Sequence, residues 1–155
     1  TLCDLDFDAV WFTETKAGEV PSASTPANTM KELLGRAKRD LVKRLDKDNG
    51  FTLWHNAISH AERALNAEED GKQAIVAILD ELYAKSKRGL FDHTGASVIL
   101  AAVVFDKRTS ELIESDVRES YDNHSLKDGF AKLMILVIQK ATYTAVMDFL
   151  RREAK

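Results

Sequence analysis

Residues 96–105 read Ala-Ser-Val-Ile-Leu-Ala-Ala-Val-Val-Phe, and the fold class turns on whether this run is a strand or a helix. It is apolar on every side and rich in β-branched residues, which suits a central strand. Periodicity alone does not separate a buried strand from a buried helix in so short a run. No partner strand is evident in the rest of the chain and Thr94 offers an N-cap, so the expectation is a buried central helix. The longest apolar stretch, Val98 to Phe105, is too short to span a bilayer.

Outward from this run, helical spacing dominates. Thr29 and Glu32 match a capping box, followed by Met30, Leu33, Leu34, Ala37, Leu41, Val42 and Leu45 at helical intervals. Asp46-Lys-Asp48-Asn-Gly50 ends that helix; it lacks the spacing of a calcium loop. A second helix is expected from Thr52, carrying Trp54, Ala57, Ile58 and Ala61. A third follows Asn66, carries Ile75, Ile78, Leu79 and Leu82, and ends at Gly89. A short helix is expected from Thr109 or Ser110 to Tyr121. A long final helix is expected from Ser125, with Leu126, Phe130, Leu133, Met134, Val137, Ile138, Ala141, Ala145 and Phe149 on its face. The chain holds only 7 Gly and 2 Pro, too little punctuation for a many-stranded fold. The expected class is all-α: a bundle of about six helices (residues 29–155) behind an extended acidic-aromatic arm (1–14) and a flexible linker (15–28).

Charge and cysteine content narrow the function classes. A formal net charge of −3 over 155 residues gives no global field for nucleic acid, which is not an expected partner. The charge is uneven: residues 1–28 hold five acids against one base, and residues 29–51 hold seven bases against four acids. The single cysteine, Cys3, excludes an internal disulfide, and a reducing, cytoplasmic setting is the expectation. No basic-then-apolar leader opens the sequence.

Candidate chemistry is sparse. Asp4, Asp6 and Asp8 resemble the paired aspartates of haloacid dehalogenase-type phosphatases, but no apolar strand precedes them; a solvated alternating face accounts for them. His55 and His60 stand five apart, off the spacing that shares a helix face, so no metal site and no cofactor are expected. Asp92-His93 could orient an imidazole, and a capping turn explains it equally. Arg118 and His124 are separated as in the all-helical ribonucleases of the HEPN class, which their spacing resembles. Glu119 follows the arginine here where a small polar residue is usual, and the segment straddles a loop. That resemblance implies metal-independent RNA cleavage with Arg118 on phosphate and His124 moving a proton.

The arm carries Leu5, Phe7, Trp11 and Phe12, each worth about 1.5–3 kcal/mol on full burial. The helix beside it presents Arg36, Arg39 and Lys43, a solvated face or a dock for an acidic peptide. The arm is therefore expected in a groove between helices of its own copy or of a second one, which would make a homodimer. By elimination, the expected function is that of a non-catalytic protein–protein interaction module. The HEPN-like ribonuclease is the first alternative, and a carrier enclosing an apolar ligand in the bundle is the second.

Overall fold

The computed structural model describes residues 10–46, 50–64, 69–106, 112–123, 126, 128–141 and 150–153. Its elements run β1 (Trp11–Glu19), α1 (Pro26–Leu45), α2 (Gly50–Ala64), α3 (Glu69–Lys87), β2 (Ser97–Phe105), α4 (Glu114–Asn123) and β3 (Lys132–Lys140). The three strands form one parallel sheet in the order β1-β2-β3. The expectation of an all-α helical bundle is therefore corrected: the fold is mixed α/β.

Two segments carry that correction. Residues 97–105 are the central strand and not a helix, because partner strands exist on both sides of them. Residues 132–140, expected within the final helix, form β3. Lys-Leu-Met-Ile-Leu-Val-Ile-Gln-Lys is apolar throughout its middle, so helical spacing fits it as well as strand spacing does. Alternation then places Leu133, Ile135 and Val137 toward the core, while Met134, Leu136 and Ile138 face outward and stay exposed. β1 in turn runs to Glu19, through residues read from the sequence as linker.

The α1 helix was legible, with its start displaced. It begins at Pro26, whose missing N–H costs nothing in the first turn. Thr25 is the N-cap, its Oγ1 accepting from the Asn28 amide at 3.2 Å. Thr29 is buried inside the first turn and is not a capping residue. Met30, Leu33, Leu34, Ala37, Leu41 and Leu45 line the face that meets Val98, Leu100, Ala102 and Val104 of β2. Gly18 lets α1 come close: a Cβ there would stand 3.2 Å from Leu33 Cδ2.

A second cluster anchors the α2–α3 hairpin. Trp54, Leu79 and Leu82 pack with Val10, Phe12 and Phe91. The Trp54 indole meets Phe12 edge-on at 5.4 Å and Phe91 at 5.8 Å. Both crossovers, β1 to β2 and β2 to β3, step the same way across the sheet. Right-handed connections then put their helices on one face, and Lys31 of α1 bonds Glu119 of α4 at 3.0 Å across that layer. The opposite face carries Trp11, Ile99, Val103, Met134, Leu136 and Ile138 outside the helical layer. No helix among the described residues is long and apolar enough to cross a membrane.

Candidate functional site

Alternation along β1 turns Phe12, Glu14, Lys16 and Gly18 toward α1. The same face of β2 and β3 is almost wholly apolar, so Glu14 is the anomaly. Its carboxylate is buried at 5% exposure, with Leu100 as its register neighbour on β2. From α1, Arg44 reaches down to Glu14 and Asp40 to Lys16, the two helix residues four apart and hence on one flank. Lys16 Nζ lies 2.8 Å from Glu14 Oε1 and 2.6 Å from Asp40 Oδ2, bridging the two carboxylates. The Arg44 guanidinium donates to Glu14 Oε2 at 2.6 Å.

Each charge leans on the next. The hydrogen bonds that Lys16 donates to Asp40 and then to Glu14 raise its ammonium above the usual value, against a smaller opposing effect of burial. The bond from Lys16 holds the Asp40 carboxyl below its usual value. β1 is an edge strand, and the Asp40 and Arg44 side chains are 43% and 50% exposed. A buried carboxylate thus lies beneath a network whose outer members, Asp40 and Arg44, are open to solvent.

Two carboxylates with waters suit one hard divalent cation. Magnesium in particular binds through one or two carboxylates together with water and substrate phosphate, not through a full protein cage. No group of three or more His, Cys, Asp or Glu side chains suited to a metal ion occurs among the described residues. Glu14 and Asp40 are the pair able to hold a cation in this cluster. Lys16 and Arg44, displaced from them, would meet phosphate oxygens.

The residues singled out from the sequence fall elsewhere. Leu5, Phe7 and His124 lie outside the described residues. Trp11 stands on the outward face of β1, and Phe12 is taken into the Trp54 cluster. Arg36, Arg39 and Lys43 are exposed on α1. Arg118 is exposed on α4, where it pairs with Glu114 one turn away at 2.5 Å. Asp92 caps the turn at residues 93–95, accepting from the Thr94 amide at 2.8 Å. The carboxylate beside His93 is Asp46, with Oδ1 2.7 Å from Nδ1.

Sequence reasoning missed Glu14, Lys16, Asp40 and Arg44 as a set. The signal was present: in Trp-Phe-Thr-Glu-Thr-Lys-Ala-Gly-Glu, strand alternation puts an acid and a base on one side, two residues apart. Ending the extended segment at residue 14 divided the pair between arm and linker. No protein-family model, no curated protein and no solved structure matches the chain.

Proposed function

We propose that this chain carries a divalent-cation-assisted phosphodiester hydrolase site at Glu14, Asp40, Lys16 and Arg44. The observation that supports it is the burial of Glu14, at 5% exposure, between an ammonium and a guanidinium on an otherwise apolar sheet face. Burying such a network costs desolvation free energy, and apolar residues of similar volume would hold the layer together as well or better. Charge kept in such a place is a mark of chemistry.

In this reading Glu14 and Asp40 would hold the cation, whose chemistry when bound would be that of a Lewis acid toward phosphate oxygen. Lys16 and Arg44 neutralise the charge that grows on the phosphoryl oxygens in the transition state. A water oxygen forms the new bond to phosphorus while the bond to the ester oxygen breaks. The water gives one proton to solvent, and the departing oxygen gains one from solvent. Manganese titration calorimetry tests the ligand role. One site is expected on the unmodified chain, with affinity reduced at least about tenfold in Glu14→Gln and unchanged in Arg118→Gln. Equal affinity in Glu14→Gln would remove the carboxylate from its role.

A second reading, a protein-binding module, is favoured by the outward sheet face. All-parallel sheets are found with both faces covered, and here Met134, Leu136 and Ile138 stay 52%, 49% and 38% exposed. The occupant that charge favours is a second copy, related by a twofold axis parallel to the strands. That axis sets β1 over β3, placing Glu19 of one copy over Lys140 of the other and Trp11 over Lys132. Light scattering is expected to report a dimer that Leu136→Lys converts to monomer. A monomeric unmodified chain at micromolar concentration would exclude this partner.

A further inference from the structure

On the flank of α1 away from Glu14, a groove of about 590 Å³ opens between the helix and the segment leading into β3. Its walls carry Lys31, Lys38, Arg39 and Lys43 from α1, His93 from the preceding turn and Asp128 opposite. Among the described residues the lining holds four cations and an imidazole to one carboxylate, with Lys31 also paired to Glu119 at 3.0 Å, in a chain whose net charge is −3.

The groove is a built feature. Lys38 Nζ donates to the Asp128 carbonyl at 2.6 Å and lies 5.6 Å from the centre of the Phe130 ring. Burial pushes the Lys38 ammonium below its usual value, opposed by Asp128, so an anion arriving there meets a partly desolvated cation. His93 is fixed by Asp46, which accepts from its backbone amide at 3.2 Å and holds Nδ1 at 2.7 Å. Gly129, next to Asp128, stands at φ +100°, a backbone state that favours glycine. A Cβ there would come within 3.6 Å of His93 Nε2. Arg39 and Lys43 are exposed and form no ion pair among the described residues.

We propose that this groove is a track for the phosphate backbone of a nucleic acid. The inference rests on the hydrolase reading, and makes nucleic acid the phosphodiester on which the Glu14 site acts. From Lys31 to Lys43 the helix advances roughly 18 Å at 1.5 Å per residue, about five phosphate steps along one strand of a duplex. Cations spaced along a helix match a repeating phosphate charge. An acidic peptide would also need apolar anchor pockets, and among the described residues the apolar side chains lining this groove are Val42 and Leu126. Attraction is local, since the whole-chain field is weakly repulsive.

The test is fluorescence anisotropy with a short labelled duplex oligodeoxynucleotide, on the Glu14→Gln chain with chelator present so that nothing turns over. Arg39→Glu with Lys43→Glu is expected to weaken binding at least about tenfold. It should also lower the slope of log K against log salt by about 2, one per cation removed. Arg63→Glu with Arg88→Glu, exposed positions elsewhere, is expected to change affinity less than about twofold. Binding unchanged by the groove substitutions would overturn the track, even where cation-dependent cleavage is found. Binding lost as expected, without cleavage by the unmodified chain under any divalent cation, would uphold the track and sink the hydrolase. A polyglutamate peptide displacing the oligonucleotide at lower charge concentration than unlabelled DNA would overturn the choice of nucleic acid.

Discussion

Replacing Glu14 by Leu together with Lys16 by Met is expected to yield a folded protein, neutral or up to about 1–4 kcal/mol more stable than the unmodified chain, with hydrolytic activity lost. The buried half of the network would become apolar side chains against Leu100 and Ala102, their register neighbours. The partners left behind, Asp40 and Arg44, have side chains 43% and 50% exposed and can be hydrated where they stand. Glu14→Gln alone keeps the shape and removes the charge. Urea denaturation beside a cleavage assay checks both arms. A double variant that unfolds, or loses more than about 3 kcal/mol, would mean that the network holds β1 to α1 and that its burial signals no chemistry.

Trp54→Ala is expected to cost about 3–5 kcal/mol, a large part of the roughly 5–15 kcal/mol that stabilises a domain. The indole is fully buried and joins three parts of the chain: β1 through Phe12, the turn before β2 through Phe91, and α3 through Leu79 and Leu82. Its Nε1–H finds no hydrogen-bond partner among the described residues, so shape and apolar contact carry its contribution. Trp54→Phe, which removes that orphan donor, is expected to cost less than half as much. Chemical denaturation followed by circular dichroism measures both. A loss below about 1 kcal/mol in Trp54→Ala would show that the α2–α3 hairpin is not anchored through this cluster.

The helices were legible because each buries one stripe against water on the other side. In α1 the apolar residues from Met30 to Leu45 mark the core face by 3.6-residue spacing, and the basic residues mark the rest. The strands were not legible, for the converse reason. β2 and β3 are each apolar on both sides, so neither has a contrast that fixes a period. Read alone, each also lacked a partner, since pairing in a parallel sheet is with residues far off in sequence. Trp11 pairs with Ser97, and Ser97 with Lys132. β1 did alternate, and its first residues were read as extended; the pattern continues through Lys16 and Gly18, where small and polar residues had suggested a linker.

The candidate site follows the same division. Arg39 and Lys43 were read as basic helix positions, and they line the groove. Arg118 is exposed on α4 and paired with Glu114, and His124 lies outside the described residues. The Glu14 cluster joins a strand to a helix across roughly 30 residues, and only the packing of α1 on β1 brings Asp40 and Arg44 to it. No local motif carries that information; burial of a single carboxylate does.

The most direct test of the hydrolase site is one cleavage measurement, on labelled DNA with magnesium or manganese, comparing the unmodified chain with Glu14→Gln and Lys16→Met. The account expects cation-dependent cleavage by the unmodified chain, abolished by chelator. Each substitution is also expected to reduce the rate by a factor on the order of 10²–10³, the range for removing one transition-state contact, in chains that circular dichroism shows to be folded at the assay temperature. Cleavage that persists in Glu14→Gln at the unmodified rate would contradict it, as would the absence of cleavage by the unmodified chain with every divalent cation tried.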